Sequence, residues 1–357
     1  MAMNLGSFAS RSVAQYIVAK DGTGDFTDVQ SAVNAIGPNG GNIFIKEGVY
    51  TITSAIDIAG VSITITGIGQ GAAIKSTGNH EVFNITGNHH FIENINISGS
   101  GLGNVNNHGI FLDNVDWCSV RNCRIDSCGG DGIKTSACGI VNLQNNHIIG
   151  NKGYGINSDN DFYYLVNGNV IINNLLGGIN AYILYDGTIS DNNITSNPAH
   201  GIEFDGNGDW LDVVISNNVI NYNGNDGIYI YNSGEVIISN NTISANVHHG
   251  IRLNTCFGCN ISSNISSYND DANTVTYDGI CLESNVDNCI VSSNRCREND
   301  RYEINVANAN CDKNIIMGNQ CLGTDHVGTI NDAGTNTHPN GASGTNNLAL
   351  DDLNIIA

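Results

Sequence analysis

A glycine followed by isoleucine recurs at Gly109, Gly132, Gly155, Gly178, Gly201, Gly227, Gly250 and Gly279, in steps of 23, 23, 23, 23, 26, 23 and 29 residues. A ninth occurrence is degenerate, Tyr302-Glu303-Ile304. The units between are short β-branched runs separated by Asn, Asp, Ser and Gly, the composition of strands joined by turns. A period this short excludes helical repeats, which need about 33 residues, and the leucine skeleton and helical segment of a leucine-rich repeat are missing. The chain is therefore predicted to be all-β: a right-handed, single-stranded parallel β-helix whose coils rise about 4.8 Å each.

A second column keeps the same time. Asn146, Asn169, Asn192, Asn218, Asn241, Asn264, Asn294 and Asn319 each follow a short apolar strand such as Val214-Ile215-Ser216. Identical amides stacked at strand spacing can pass hydrogen bonds from one to the next, so the column predicts an asparagine ladder. A solenoid grows in one dimension, so 357 residues need only one continuous domain. The divisions expected are an N-terminal arm over 1–17, the β-helix over 18–325 and a Gly/Asn-rich terminal segment over 326–357.

An exposed apolar end would leave the first coil's core and edges open, and a helix is expected to cover it at about 27–36. Thr27-Asp28-Val29-Gln30 has capping-box form, and Val29, Ala32, Val33 and Ile36 follow at helical spacing. Gly37-Pro38 then stops the helix.

The charge balance, 13 basic against 34 acidic residues for a net −21, argues against nucleic-acid or anionic-membrane partners. No run reaches the ~18 apolar residues of a membrane span, and the N-terminus shows no signal-peptide core, so no membrane insertion is expected. The 11 cysteines read as small buried hydrophobes. Cys118, Cys259 and Cys289 fall in a column that other coils fill with Val141, Val213 and Val236, while Cys296 and Cys321 stand where Ile171 and Ile220 do.

The stretch from Val18 to Ile36, VAKDGTGDFTDVQSAVNAI, followed by Ile43-Phe44-Ile45-Lys46-Glu47-Gly48-Val49-Tyr50, resembles the opening segment of the pectin-lyase-like superfamily. Pectin methylesterases and many phage tailspikes begin this way. The resemblance implies the right-handed β-helix, and by analogy with tailspikes a homotrimer in a virion tail or otherwise acting outside the cell. The superfamily's esterase and polygalacturonase signatures do not occur in this sequence in their usual form and order. The implied fold transfers; the chemistry must be sought in the residues.

The Gly-Ile strand presents the varied face. Side chains two apart on a strand point the same way about 7 Å apart, which places Glu203 and Asp205 together, with Asp226 from the next coil. Carboxyl pairs at about 6.5 to 9.5 Å suit inverting, and at about 5 to 5.5 Å retaining, glycoside hydrolysis. Glu203, Asp205 and Asp226 are the catalytic candidates, and His200, Trp210, Tyr229, Tyr231, His249, Arg252 and Glu283 the substrate-binding ones. Three extra residues near Gly206 to Trp210 and six near Tyr268 to Tyr277 are expected to wall this face.

The expected partner is a polysaccharide and the leading activity its hydrolysis, with no cofactor. A calcium-dependent polyuronate lyase or epimerase and a non-catalytic adhesion protein are the alternatives. Asp205-Gly206-Asn207-Gly208-Asp209 resembles the start of a calcium loop but lacks its later ligands, making Asp205, Asn207 and Asp209 a weak calcium alternative.

Overall fold

A computed structural model describes residues 13–335 except 38, 61, 102–105, 210–211, 271–273 and 324–326, together with 337 and 355–356. Its strands stack into three parallel sheets of 13, 13 and 12 strands, each coil giving one strand to each sheet in turn. A representative coil runs Val214–Ser216 in the first sheet, Val219–Asn221 in the second and Ile228–Gly234 in the third.

Register follows the repeat. Ile179, Ile202, Ile228 and Ile251 are successive partners in the third sheet, and all four are buried. Each buried isoleucine contributes about 1.5–3 kcal/mol of transfer free energy, and a one-residue slip would turn its column outward. The predicted asparagine ladder is present: Asn218 Nδ2 donates to Asn241 Oδ1 at 3.0 Å and to the Ile189 carbonyl at 2.8 Å, while Asn192 Nδ2 donates to Asn218 Oδ1 at 2.9 Å. The amides satisfy backbone groups at a buried corner where neither sheet supplies partners.

A second ladder, unforeseen in the sequence, runs five residues behind the first through Asn151, Asn174, Asn197, Asn223, Asn246, Asn269 and Asn299. All 11 cysteines are free and buried, as their columns predicted. Burial holds the Cys123 thiol up at about 12.

Three boundaries differ from expectation. The helix spans Val29–Ala35 and its N-cap is Asp28, which accepts the Ser31 N–H. Gln30, expected to close a capping box on Thr27, instead exchanges hydrogen bonds with the Asp57 backbone, tying the cap to the coil beneath it. Ala14–Val18, all but its last residue inside the expected arm, pairs in parallel with Gly41–Ile45, because Tyr16 and Val18 alternate inward and extend the first sheet by one strand. At the other end Gly328–Asp332 continues the third sheet against Tyr302–Val306, beyond the limit expected at 325.

Candidate functional site

The third sheet's outward columns hold the site. Glu203 lies between Asn180 and Tyr229, and Asp205 between Tyr182 and Tyr231. The two carboxylates share one strand, two residues apart, and so project from one face about 7 Å apart. Tyr182 and Tyr231, 38% and 39% exposed, flank Asp205 along the helix axis. Asp205 Oδ1 accepts the Asn207 N–H at 2.9 Å, which fixes the carboxylate at the start of the turn. Three extra residues do fall between Asp205 and the next first-sheet strand, and six between Ser267 and Ile280, as the register of the flanking strands requires.

Tyr154 joins this face from two coils away, which sequence reasoning missed. The next coil offers Gly177 in its column, and a Cβ there would meet the Tyr154 ring at 3.1 Å. The missing side chain leaves the ring room to lean toward Glu203. Burial, then the Glu203 carboxylate, push the Tyr154 hydroxyl up to about 12. The signal in the sequence was the lone Gly177 in a column otherwise filled by His, Asp and Tyr.

The column before each glycine behaves differently from its expected role as an open patch. Asp226 is 0% exposed, and its Oδ1 accepts the His249 N–H at 2.9 Å. Its Oδ2 lies 3.4 Å from His200 Nδ1 and 3.5 Å from an Arg252 guanidinium nitrogen. His249 repeats the pattern, its Nδ1 accepting the Asp278 N–H at 2.9 Å, which assigns the ring proton to Nε2. Asp226 and His249 thus cap the backbone of the following coil, as His108 does for Asp131.

Arg252 and Glu283, expected to meet substrate, meet each other. Arg252 donates from Nε to Glu283 Oε2 at 2.9 Å and from Nη2 to Glu283 Oε1 at 2.8 Å, a bidentate pair. Asn254 adds a third hydrogen bond to Glu283, and the guanidinium lies over the Tyr229 ring 4.7 Å from its centroid. Tyr229 in turn stacks on His200 at 5.3 Å and Tyr231 at 6.3 Å. Behind them His248 stacks on Tyr277 at 4.0 Å, and burial pushes its imidazole below the usual range.

Tyr277 belongs to the inserted wall, which Asp270 organises by accepting the N–H groups of Thr274, Thr276 and Tyr277. Trp210 lies outside the described residues.

Metal donors are engaged elsewhere. His249, Asp278 and Cys281 come within 4.8 Å of one another, but Arg301 donates twice to Asp278, at 2.8 and 2.5 Å, and Asn305 adds a third hydrogen bond at 2.9 Å. Burial opposes ionisation of Asp278, yet the Arg301 guanidinium draws its carboxyl below the usual range. A cation there would have to displace a guanidinium, so this group does not fit a metal. Of the weak calcium alternative, Asp205 caps its own turn through Asn207, and Asp209 accepts the Tyr185 hydroxyl at 2.9 Å.

The chain belongs to the family described as the right-handed beta helix region, which matches residues 48–213 and 200–347. A search of curated protein sequences returned no match. Among solved structures, the mannuronan C-5 epimerase AlgE4 A-module of Azotobacter vinelandii is similar at 15% identity and a TM-score of 0.75, over 86% of this chain and 93% of that one. The Dettilon tailspike protein is similar at 20% identity and a TM-score of 0.59, over 95% of this chain and 66% of that one. PfbA, a surface adhesin of Streptococcus pneumoniae, is similar at 14% identity and a TM-score of 0.61, over 84% and 85%. At these identities the likeness is one of fold.

Proposed function

We propose that the chain binds a polysaccharide across its third sheet and hydrolyses a glycosidic bond with inversion. The observation that carries this is the Glu203–Asp205 pair, two carboxylates about 7 Å apart on one strand face between exposed tyrosines. That separation leaves room for a water between one carboxylate and the anomeric carbon. Glu203, walled by Tyr154 and Tyr229, protonates the leaving oxygen. Asp205, held by the Asn207 N–H, takes the proton of the attacking water. Tyr182 and Tyr231 bound the sugar ring. Asp226 serves as an electrostatic anchor for Arg252 and His200, not as the base, because it is buried beneath the face.

A tailspike and an epimerase named for mannuronan among the neighbours support a polysaccharide as the partner of this fold. Neutralisation of Arg252 by Glu283 argues against a polyuronate lyase or epimerase, which needs free cationic groups for its substrate's carboxylates. Action outside the producing cell follows from a polymeric substrate.

The test is reducing-end release from a panel of bacterial surface and plant polysaccharides, with the anomeric configuration of the first product read by NMR. Inverted product, abolished in both Glu203→Gln and Asp205→Asn, is the expected result. Retained configuration, unsaturated uronate ends, or activity surviving both substitutions would each overturn the mechanism. Binding to a polymer without product from any member of the panel would move the reading to an adhesin.

A further inference from the structure

At the corner between the third sheet and the next coil's first sheet, one column runs His89, Trp117, Ile140, Tyr163, Asp186, Asp212 and Glu235. Most of its members sit in the left-handed region, where Asp186 at φ 52° and Asp212 at φ 48° are ordinary occupants. Trp117 at φ 59° and Tyr163 at φ 48° are not, since a bulky side chain there strains the backbone. Core packing does not account for them, because they are 56% and 60% exposed. They are two coils apart, about 10 Å, close to the span of a disaccharide repeat.

The neighbouring column supports the two rings. Phe162 and Tyr185 are register partners with parallel rings, 4.7 Å apart and 9° from coplanar. Gly139 precedes Phe162 in that column, and the Asp116 carboxylate folds over the glycine, so a hydrogen-bonding group lies beside an aromatic one. Tyr185 donates to Asp209 in the turn that begins at Asp205, which joins this corner directly to the candidate cleft. Neither column carries a lysine or arginine between residues 88 and 235, while Asp116, Asp186 and Asp209 rim it. A polyanion, an acidic protein or a second copy of a −21 chain is repelled by such a rim.

We propose that the Trp117–Tyr163 corner is a remote binding platform for an uncharged polysaccharide, with sugar rings laid on the Trp117 and Tyr163 faces and their hydroxyls held by Asp116 and Asp186. The proposal deepens the hydrolase reading by naming its substrate as neutral and long. The platform's binding role stands apart from the cutting step. Aromatic rings supply large apolar area with a polar edge, which suits the apolar faces and hydroxyl rims of sugars.

The test is affinity electrophoresis in native gels containing galactomannan, dextran, hydroxyethylcellulose or, as the polyanionic control, alginate. Wild type and a Glu203→Gln/Asp205→Asn variant are expected to be retarded by at least one neutral polymer and not by alginate. Trp117→Ala and Tyr163→Ala are each expected to weaken that retardation by roughly tenfold, the loss of one aromatic anchor. Both side chains are exposed, and unchanged far-ultraviolet circular dichroism checks that the variants fold.

Equal retardation of wild type and the alanine variants, preference for alginate, or no retardation by any neutral polymer overturns the platform. Retardation lost on removing the rings, in a protein that cuts nothing, upholds the platform while the hydrolase reading fails.

Discussion

Arg252 is held by two carboxylates and one ring. Glu283 takes it in bidentate fashion, Asp226 lies 3.5 Å from it, and Tyr229 receives its face. Replacing it with leucine strands the 0% exposed Asp226 carboxylate without a cation. Removing one partner of a buried ion pair typically costs about 3–5 kcal/mol, so Arg252→Leu is expected to lower the urea midpoint sharply. Arg252→Lys should recover only part of that, since an ammonium cannot reproduce the fork. A variant as stable as wild type would mean that water or His200 compensates the Asp226 carboxylate once the guanidinium is gone. The cysteines give a second residue-scale expectation: none of the 11 should react quickly with a thiol reagent in the native protein, and all should react once it is unfolded. A fast native thiol would contradict the burial of its column.

Within one coil, the ladders carry the clearest stability prediction. Asn218 accepts from both the backbone and side-chain nitrogens of Asn192 and donates to the Ile189 carbonyl. Asn218→Leu leaves these buried partners unsatisfied, each at about 1–3 kcal/mol. Because a solenoid is stabilised mainly by nearest-neighbour interfaces, the loss is expected to split chemical unfolding into two steps, one for each side of the broken rung. A single transition with an unchanged midpoint would show that water replaces the amide. The first ladder was legible because its asparagines keep the glycine period. The second keeps it equally well, but it follows the second sheet's strands, where the same spacing also reads as a turn asparagine.

The column before the glycines was misleading for a related reason. His, Asp and Tyr are chemically the richest residues in the repeat, and only the structure shows that Asp226 and His249 spend their acceptors on the next coil's N–H groups. Glu203 and Asp205 were legible as a pair because strand alternation alone fixes that they share a face.

Across the whole molecule, the repeat dictated the stack, but the way the stack ends could not be read from it. The degenerate ninth unit, Tyr302-Glu303-Ile304, looked like decay of the motif. Glu303 instead terminates the second ladder, accepting Asn299 Nδ2 at 2.5 Å from a site that is 0% exposed. Burial raises its carboxyl to about 8, against an ordinary 4.5. Below about pH 4.5 the folded and unfolded chains both hold this proton. Between there and about pH 8 only the folded chain keeps it, so stability falls as pH rises, levelling off once the folded state also ionises.

The total is on the order of 5 kcal/mol. Asp278, whose carboxyl is lowered, contributes in the opposite sense and only in acid, where its stabilisation is lost as pH falls. Between about pH 5 and pH 8 partly buried imidazoles such as His248 also titrate, so it is the difference in urea midpoint between wild type and a Glu303 variant that isolates this carboxyl. Glu303→Gln keeps an acceptor for Asn299 and removes the titration, so its midpoint should exceed wild type's at the alkaline end and converge with it near pH 5. Parallel curves for the two proteins would mean that the ladder's last rung is already ionised, and that its terminus is open to water.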